Sequence, residues 1–199
     1  ARRQRQICIR DRAQRGEPGM TTLRPLLLSV ALLACLPAQA QTAGASPESI
    51  AAANAAVFKA CAAAPKAQGA CPLGAVFGLF KLAPNSEVLD FRASTTVPLV
   101  VNQNYGWVVQ LNQMHGKVRV LERMTLPEAP KTWGTAGHAF GTSADRKTLS
   151  MDVSLTVYNG TISKSWDVAP GDPPGHYLVT VFVENAAPLQ FAFDVIAPR

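Results

Sequence analysis

The segment that most restricts the fold is MDVSLTVYNGTISKSWDV, residues 151–168. Met151, Val153, Leu155 and Val157 alternate with Asp152, Ser154, Thr156 and Tyr158, and after Asn159-Gly160 the alternation resumes at Ile162, Lys164, Trp166 and Val168. A period of two is that of a strand with one buried face. An Asn-Gly pair between two such runs is the strongest short signal for a hairpin, because both turn positions take positive φ. This part of the chain is therefore committed to a sheet. Asn159-Gly160-Thr161 also spells a glycosylation acceptor, but the turn already accounts for all three residues.

Other runs extend the pattern. Ala75–Leu82 and Val88–Ala93 are apolar stretches separated by the turn sequence APNSE, and Tyr105–Leu111 follows the loop VPLVVNQN. Lys117–Leu126 sets Val118, Val120 and Met124 on one face and Lys117, Arg119 and Arg123 on the other, as in a half-buried strand. Tyr177–Val183 is apolar on both faces, which predicts a central strand, and Leu189–Val195 follows after ENAAP. Seven or eight strands with no βαβ rhythm predict a mainly β fold, an antiparallel immunoglobulin-like β-sandwich, with a closed barrel as the architectural alternative. Between the fourth and fifth runs lies the longest irregular stretch, Pro127–Lys147, rich in Pro, Gly, Thr and Ser. Loops of that length are uncommon unless functional or disordered, so it is the first place to look for a site.

Ahead of the strands, Glu48–Ala64 is Ala-rich and places Ile50, Ala53, Val57 and Cys61 at helical spacing, with Ser46 or Ser49 available as a cap and Pro65 as a stop. The expected organisation is a leader and Ala-rich helical arm over 41–72 and a β-sandwich domain over 73–199.

The net charge of +6 would suggest an anionic partner until the charges are located. Residues 1–19 hold six arginines, and Met20 opens MTTLRPLLLSVALLACLPAQAQ, with Arg24, an apolar run from Leu26 to Leu36 and an Ala38-Gln39-Ala40 cleavage site. That is the pattern of a secretory signal peptide over 20–40. The apolar run has about half of the roughly twenty residues a membrane-spanning helix needs, so no transmembrane segment is expected in the mature chain. Residues 1–19 read as an upstream over-extension of the frame. Removing the seven basic and two acidic residues of positions 1–40 leaves twelve against eleven, a net of +1. Nucleic acid is not an expected partner of a chain so balanced. Leu32-Leu33-Ala34-Cys35 also resembles a lipobox, so the alternative to a periplasmic or secreted protein is a lipoprotein anchored through Cys35.

After such processing only Cys61 and Cys71 remain, in CAAAPKAQGAC. Two cysteines in an oxidising compartment predict a disulfide. The alternative, a redox or metal pair, lacks both the C-x-x-C spacing and a nearby histidine.

Three stretches, TVPLVVNQNYGWVVQL (96–111), LERMTLPEAPKTWG (121–134) and SWDVAPGDPPGHYLVTVFV (165–183), resemble a group of exported bacterial immunoglobulin-like β-sandwich proteins of unknown function. There, a proline and a Tyr/Phe-Gly segment open one central strand, and a W…PG…Y/W pattern opens another before a terminal aromatic strand. The resemblance covers about 73–195 and implies fold and compartment; it carries over no catalytic residue.

Chemistry-bearing residues are few. His115, His138 and His176 lie next to Gly or in loops, with no two at ligand spacing. Met114 and His115 with Met124, Met151 or His138 have the ligand types copper prefers. No G-x-S-x-G motif occurs. Asp167 and Asp172 flank a Pro-Gly knot as a carboxylate pair, but five residues within one turn do not supply the separation across a cleft that glycosidases use. Trp107 and Trp166 sit in strands and are expected in the core, whereas Trp133, beside Lys131 and His138 in the long loop, is either a lid on the core or a contact surface. In WDVAPGDPPGHY (166–177), Pro170, Pro173 and Pro174 fix φ while Gly171 and Gly175 supply positive φ, so the cluster reads as a corner closed by a Tyr177 hydrogen bond.

Together these features predict an exported, non-catalytic β-sandwich that binds a protein or cell-envelope partner through Lys131, Trp133 and His138, without metal or cofactor. The alternative is a periplasmic carrier of copper or another small ligand.

Overall fold

The computed structural model describes residues 46–63, 69–84, 88–133 and 139–198. The expected over-extension, signal peptide, Cys35 and leader, together with Pro65 and His138, lie outside them. All the described residues belong to one unit, Ala43–Arg199.

Helix α1 runs Pro47–Ala63. Ser46 is its N-cap, its Oγ accepting the Ser49 N–H at 3.2 Å, and Pro47 takes the first helical position, where its missing N–H costs nothing. Ile50, Val57 and Cys61 are buried, but Ala53 is exposed. Asn54 faces the sheet instead. Its side chain donates to Gln190 O (2.8 Å) and accepts from Gln190 N (2.9 Å), standing in for a neighbouring strand. The predicted disulfide forms, Cys61 to Cys71, and joins the end of α1 to the residue before the first strand.

Ten strands follow among the described residues: β1 (Pro72–Leu82), β2 (Val88–Ala93), β3 (Thr96–Pro98), β4 (Asn104–Leu111), β5 (His115–Thr125), β6 (Ala139–Thr142), β7 (Thr148–Tyr158), β8 (Thr161–Asp167), β9 (Gly175–Val183) and β10 (Leu189–Ile196). The sequence pattern yields eight of them. The two it misses are too short to show a period. β3 has three residues and pairs in parallel with β10, the exception to an otherwise antiparallel set, and β6 lies inside the stretch read as loop, paired with β7.

Hydrogen bonding runs β2-β1-β4-β8-β7-β5-β9-β10-β3, with β6 branching from β7. The link between β7 and β8 is a single residue pair, Tyr158 opposite Thr161. Asn159 (φ 48°) and Gly160 (φ 75°) form the turn expected of them, but its two arms part at once into different layers. One layer is β2-β1-β4-β8 and the other β6/β7-β5-β9-β10-β3. They meet face to face: Phe77 of β1 stacks on Phe193 of β10 at 4.3 Å between centroids, and Tyr105 of β4 lies 5.4 Å from the same ring. Val97, Trp107, Val109, Val120, Val181, Val183 and Leu189 are fully buried between the layers. Apolar faces brought together in this way are the main source of stability.

The corner after β8 also forms as expected. The Tyr177 hydroxyl donates to Pro173 O at 2.8 Å, and Gly171 (φ 94°) and Gly175 (φ 131°) have the positive φ the reversal needs. A tyrosine closing the corner at the start of a central strand is a feature of immunoglobulin-like sandwiches.

Candidate functional site

The alternation of β5 puts Val118, Val120, Glu122 and Met124 on its inward face, and all four are buried. Glu122 is thus an acid at a core position, opposite Met151 of β7 on one side and Val181 of β9 on the other. A buried carboxylate needs a full set of partners. The facing layer supplies them: Trp107 Nε1 donates to Oε2 at 2.6 Å, Trp166 Nε1 to Oε1 at 2.7 Å, and Lys164 Nζ to Oε1 at 3.2 Å. Trp107 and Lys164 are register partners across β4 and β8. The Lys164 ammonium also sits 3.8 Å from the Trp166 ring, a cation–π contact. Burial lowers the Lys164 pKa, and Glu122 opposes that effect. This cluster clamps one layer to the other.

Immediately beyond Trp166 the layers part to leave a cavity of about 310 Å³. Tyr105, Met124, Leu126, Thr132, Trp133, Trp166, Asp167, Ala169, Asp172 and Tyr177 line it. Trp133 is half-buried against the core, and its indole N–H donates to Arg146 O at 3.0 Å. Its loop is tied on both sides. Arg146 Nη2 donates to Lys131 O (3.3 Å), Lys147 Nζ to Pro127 O (2.9 Å), and the Lys131 N–H points to Gly171 O (3.5 Å). A Cβ on Gly171 would collide with the Lys131 side chain, so glycine there lets loop and corner touch.

Asp172 caps its own turn by accepting the Ala169 N–H at 2.8 Å. Its carboxyl is pushed above the usual carboxylate range, first by burial and then by the charge of Asp167, while the Ala169 hydrogen bond opposes the rise. A carboxyl raised in this way stabilises the fold below its unfolded pKa and loses that contribution as pH rises through the folded value. Burial, with Asp172 adding, also raises the phenols of Tyr105 and Tyr177, which stay neutral hydroxyls.

Of the residues predicted for contact, Trp133 and Lys131 lie at this end of the sandwich, Trp133 in the cavity wall and Lys131 exposed at the corner; His138 is outside the described residues. Trp133 packs against the core with its indole N–H held by Arg146 O, and it also lines the cavity. Trp107 is in the core as expected. Trp166 is only half-buried, packed against the core and lining the cavity. Asp167 and Asp172 come together, but as lining rather than across a long cleft. The copper-type residues are dispersed: Met124 and Met151 are buried in the core, whereas Met114 and His115, at the far end of β5, are exposed and lie about 30 Å from Met124, at roughly 3.3 Å per residue. His176 faces outward and contacts Asp194 at 3.0 Å. No group of three or more His, Cys, Asp or Glu side chains suited to a metal ion occurs among the described residues.

Glu122 and Tyr105 were missed by sequence reasoning. The signal for Glu122 was present: strict alternation from Val118 and Val120 places an acid in the buried phase. Nothing in one sequence would bring Tyr105 to Trp133.

The family model of the PM0630 beta sandwich domain matches residues 75–196. Among solved structures, the chain is similar to an immunoglobulin-like protein from Pseudomonas aeruginosa, with 20% identity and a TM-score of 0.44 over 65% of this chain and 99% of that one. It is also similar to the PmoD soluble domain from Methylocystis sp. ATCC 49242 (Rockwell), with 14% identity and a TM-score of 0.33 over 61% of this chain and 90% of that one. No curated protein matches the sequence.

Proposed function

The chain belongs to the PM0630 beta sandwich domain family, and on that footing we propose that it is an exported, non-catalytic binding module whose contact surface is the Trp133 end of the sandwich. The observation that carries the reading is the cavity itself: two tryptophans, two tyrosines and two carboxylates, drawn from four separate segments, converge on a space of about 310 Å³. Concave sites with aromatic walls and a few polar groups are where proteins hold ligands and partner side chains. The partner is a protein or a component of the cell envelope. Export is supported by the signal-peptide pattern of residues 20–40 and by the Cys61–Cys71 disulfide. No described helix is long and apolar enough to cross a membrane.

The test is Trp133→Ala in the exported protein, with partners recovered by cross-linking in intact cells. The variant is expected to fold, since Trp133 is half-buried at one end of the core, and to lose at least tenfold of the cross-linked partner. Undiminished recovery from a folded variant would remove the reading.

A further inference from the structure

The chemistry of the cavity specifies more than a contact surface. Resting on the reading above, we propose that the cavity is a receptor for an organic ammonium group, the amine end of a small molecule or of a partner's side chain.

The first argument is the lining. Tyr105, Trp133, Trp166 and Tyr177 present aromatic surface on several sides of one space, and Asp167 and Asp172 add two carboxylates. Aromatic rings attract cations through their negative faces, and a set of rings with carboxylates nearby is how proteins recognise ammonium groups. An anion would meet two like charges there, and a purely apolar group would leave Asp172 desolvated and unpaired.

The second is charge balance. The ion pairs among the described residues are Arg119–Asp152, Lys164–Glu122 and His176–Asp194, and none involves Asp167 or Asp172. Lys164, the cation beside the cavity wall, is already matched by Glu122. Asp172 is half-buried, and burial together with the charge of Asp167 pushes its carboxyl above the usual carboxylate range. An entering ammonium opposes that rise.

A third argument comes from the adjoining cluster, where the protein houses an amine of its own in the same chemistry. Lys164 Nζ lies on the Trp166 ring and against the Glu122 carboxylate. The cavity, which Trp166 also lines, repeats the setting with Trp133, Tyr105 and the two aspartates. Its volume is at the small end of ligand sites, which suits a single head group rather than a large molecule.

The experiment titrates the disulfide-bonded mature chain with choline and n-butylammonium, standing for a free amine, and with a short peptide bearing one lysine, standing for an amine displayed by a partner. The neutral carbon isostere of choline, 3,3-dimethylbutan-1-ol, is the control, and tryptophan fluorescence and calorimetry are the readouts. Saturable binding of at least one cation, at least tenfold tighter than the isostere, is expected. It should weaken tenfold or more in Asp172→Asn, which keeps an acceptor for Ala169, and in Trp133→Ala. Tighter binding of the free amine or of the peptide identifies the source. Equal binding of cation and isostere, no binding of any cation, or an unchanged Asp172→Asn in a folded protein would overturn the inference. If Trp133→Ala still loses its cross-linked partner while no cation binds, the contact-surface reading stands and the ammonium site falls.

Discussion

Glu122 shows what a single buried charge does in a sandwich. Its carboxylate is completely inaccessible yet accepts three hydrogen bonds from the opposite layer, two from indoles and one from Lys164. Breaking a buried pair by removing one partner is far more costly than the pair's net contribution, because the remaining charge and donors are stranded. Glu122→Ala is therefore expected to destabilise the domain by about 3–5 kcal/mol, read as a lower urea midpoint. Glu122→Gln, which keeps the side-chain volume and one acceptor oxygen but turns an NH2 toward the other indole, should cost less than Glu122→Ala. Equal losses in the two variants would show that the volume glutamine keeps contributes nothing and that the ionised, doubly accepting carboxylate sets the whole effect. Trp166 links this cluster to the cavity, since it both donates to Glu122 and lines the cavity.

Among the elements, α1 has the most specific task. β10 is paired with β9 along its length but with β3 only from Asp194 to Ile196, so the backbone of Gln190 faces outward at an open edge. Unpaired strand edges invite pairing with other chains. Asn54 closes this one with two hydrogen bonds, and the Cys61–Cys71 disulfide keeps α1 in place to do so. Asn54→Ala should cost about 1–3 kcal/mol for two lost bonds and speed hydrogen exchange at the Gln190 amide. Exchange at Gln190 no faster than in the parent would mean that the helix does not guard this edge. The helix itself was legible from its alanines, its cap and its apolar spacing; the role of Asn54 was not, because its partner lies 136 residues away. β3 and β6 escaped notice for a related reason, since strands of three and four residues are defined by the ladder they join rather than by their own pattern.

For the molecule as a whole, the Asn159-Gly160 turn is among the tightest of the several connections by which the chain passes between the layers, with only the two turn residues between β7 and β8. Gly160 has positive φ and sits against Met114, so a side chain there is strained both by backbone and by space. Gly160→Val should lower stability by about 1–2 kcal/mol or more from the backbone alone, whereas Gly141→Val, at a position with open space and no positive φ, should be close to neutral. Comparable thermal midpoints for the two variants would show that this turn does not govern the joining of the layers. The sequence by itself determined the mainly β character, the resemblance to β-sandwich proteins, the central place of β9, the corner closed by Tyr177 and the disulfide. Each of these depends on local alternation, turn chemistry or cysteine count. Only the tertiary structure decided that the two arms of the hairpin enter different layers, that Glu122 is held by two tryptophans and a lysine, and that the 166–177 corner and the Trp133 loop enclose one cavity. Those features are contacts between residues far apart in the chain, set by how two twisted sheets stack, and no local pattern encodes which side chains then meet.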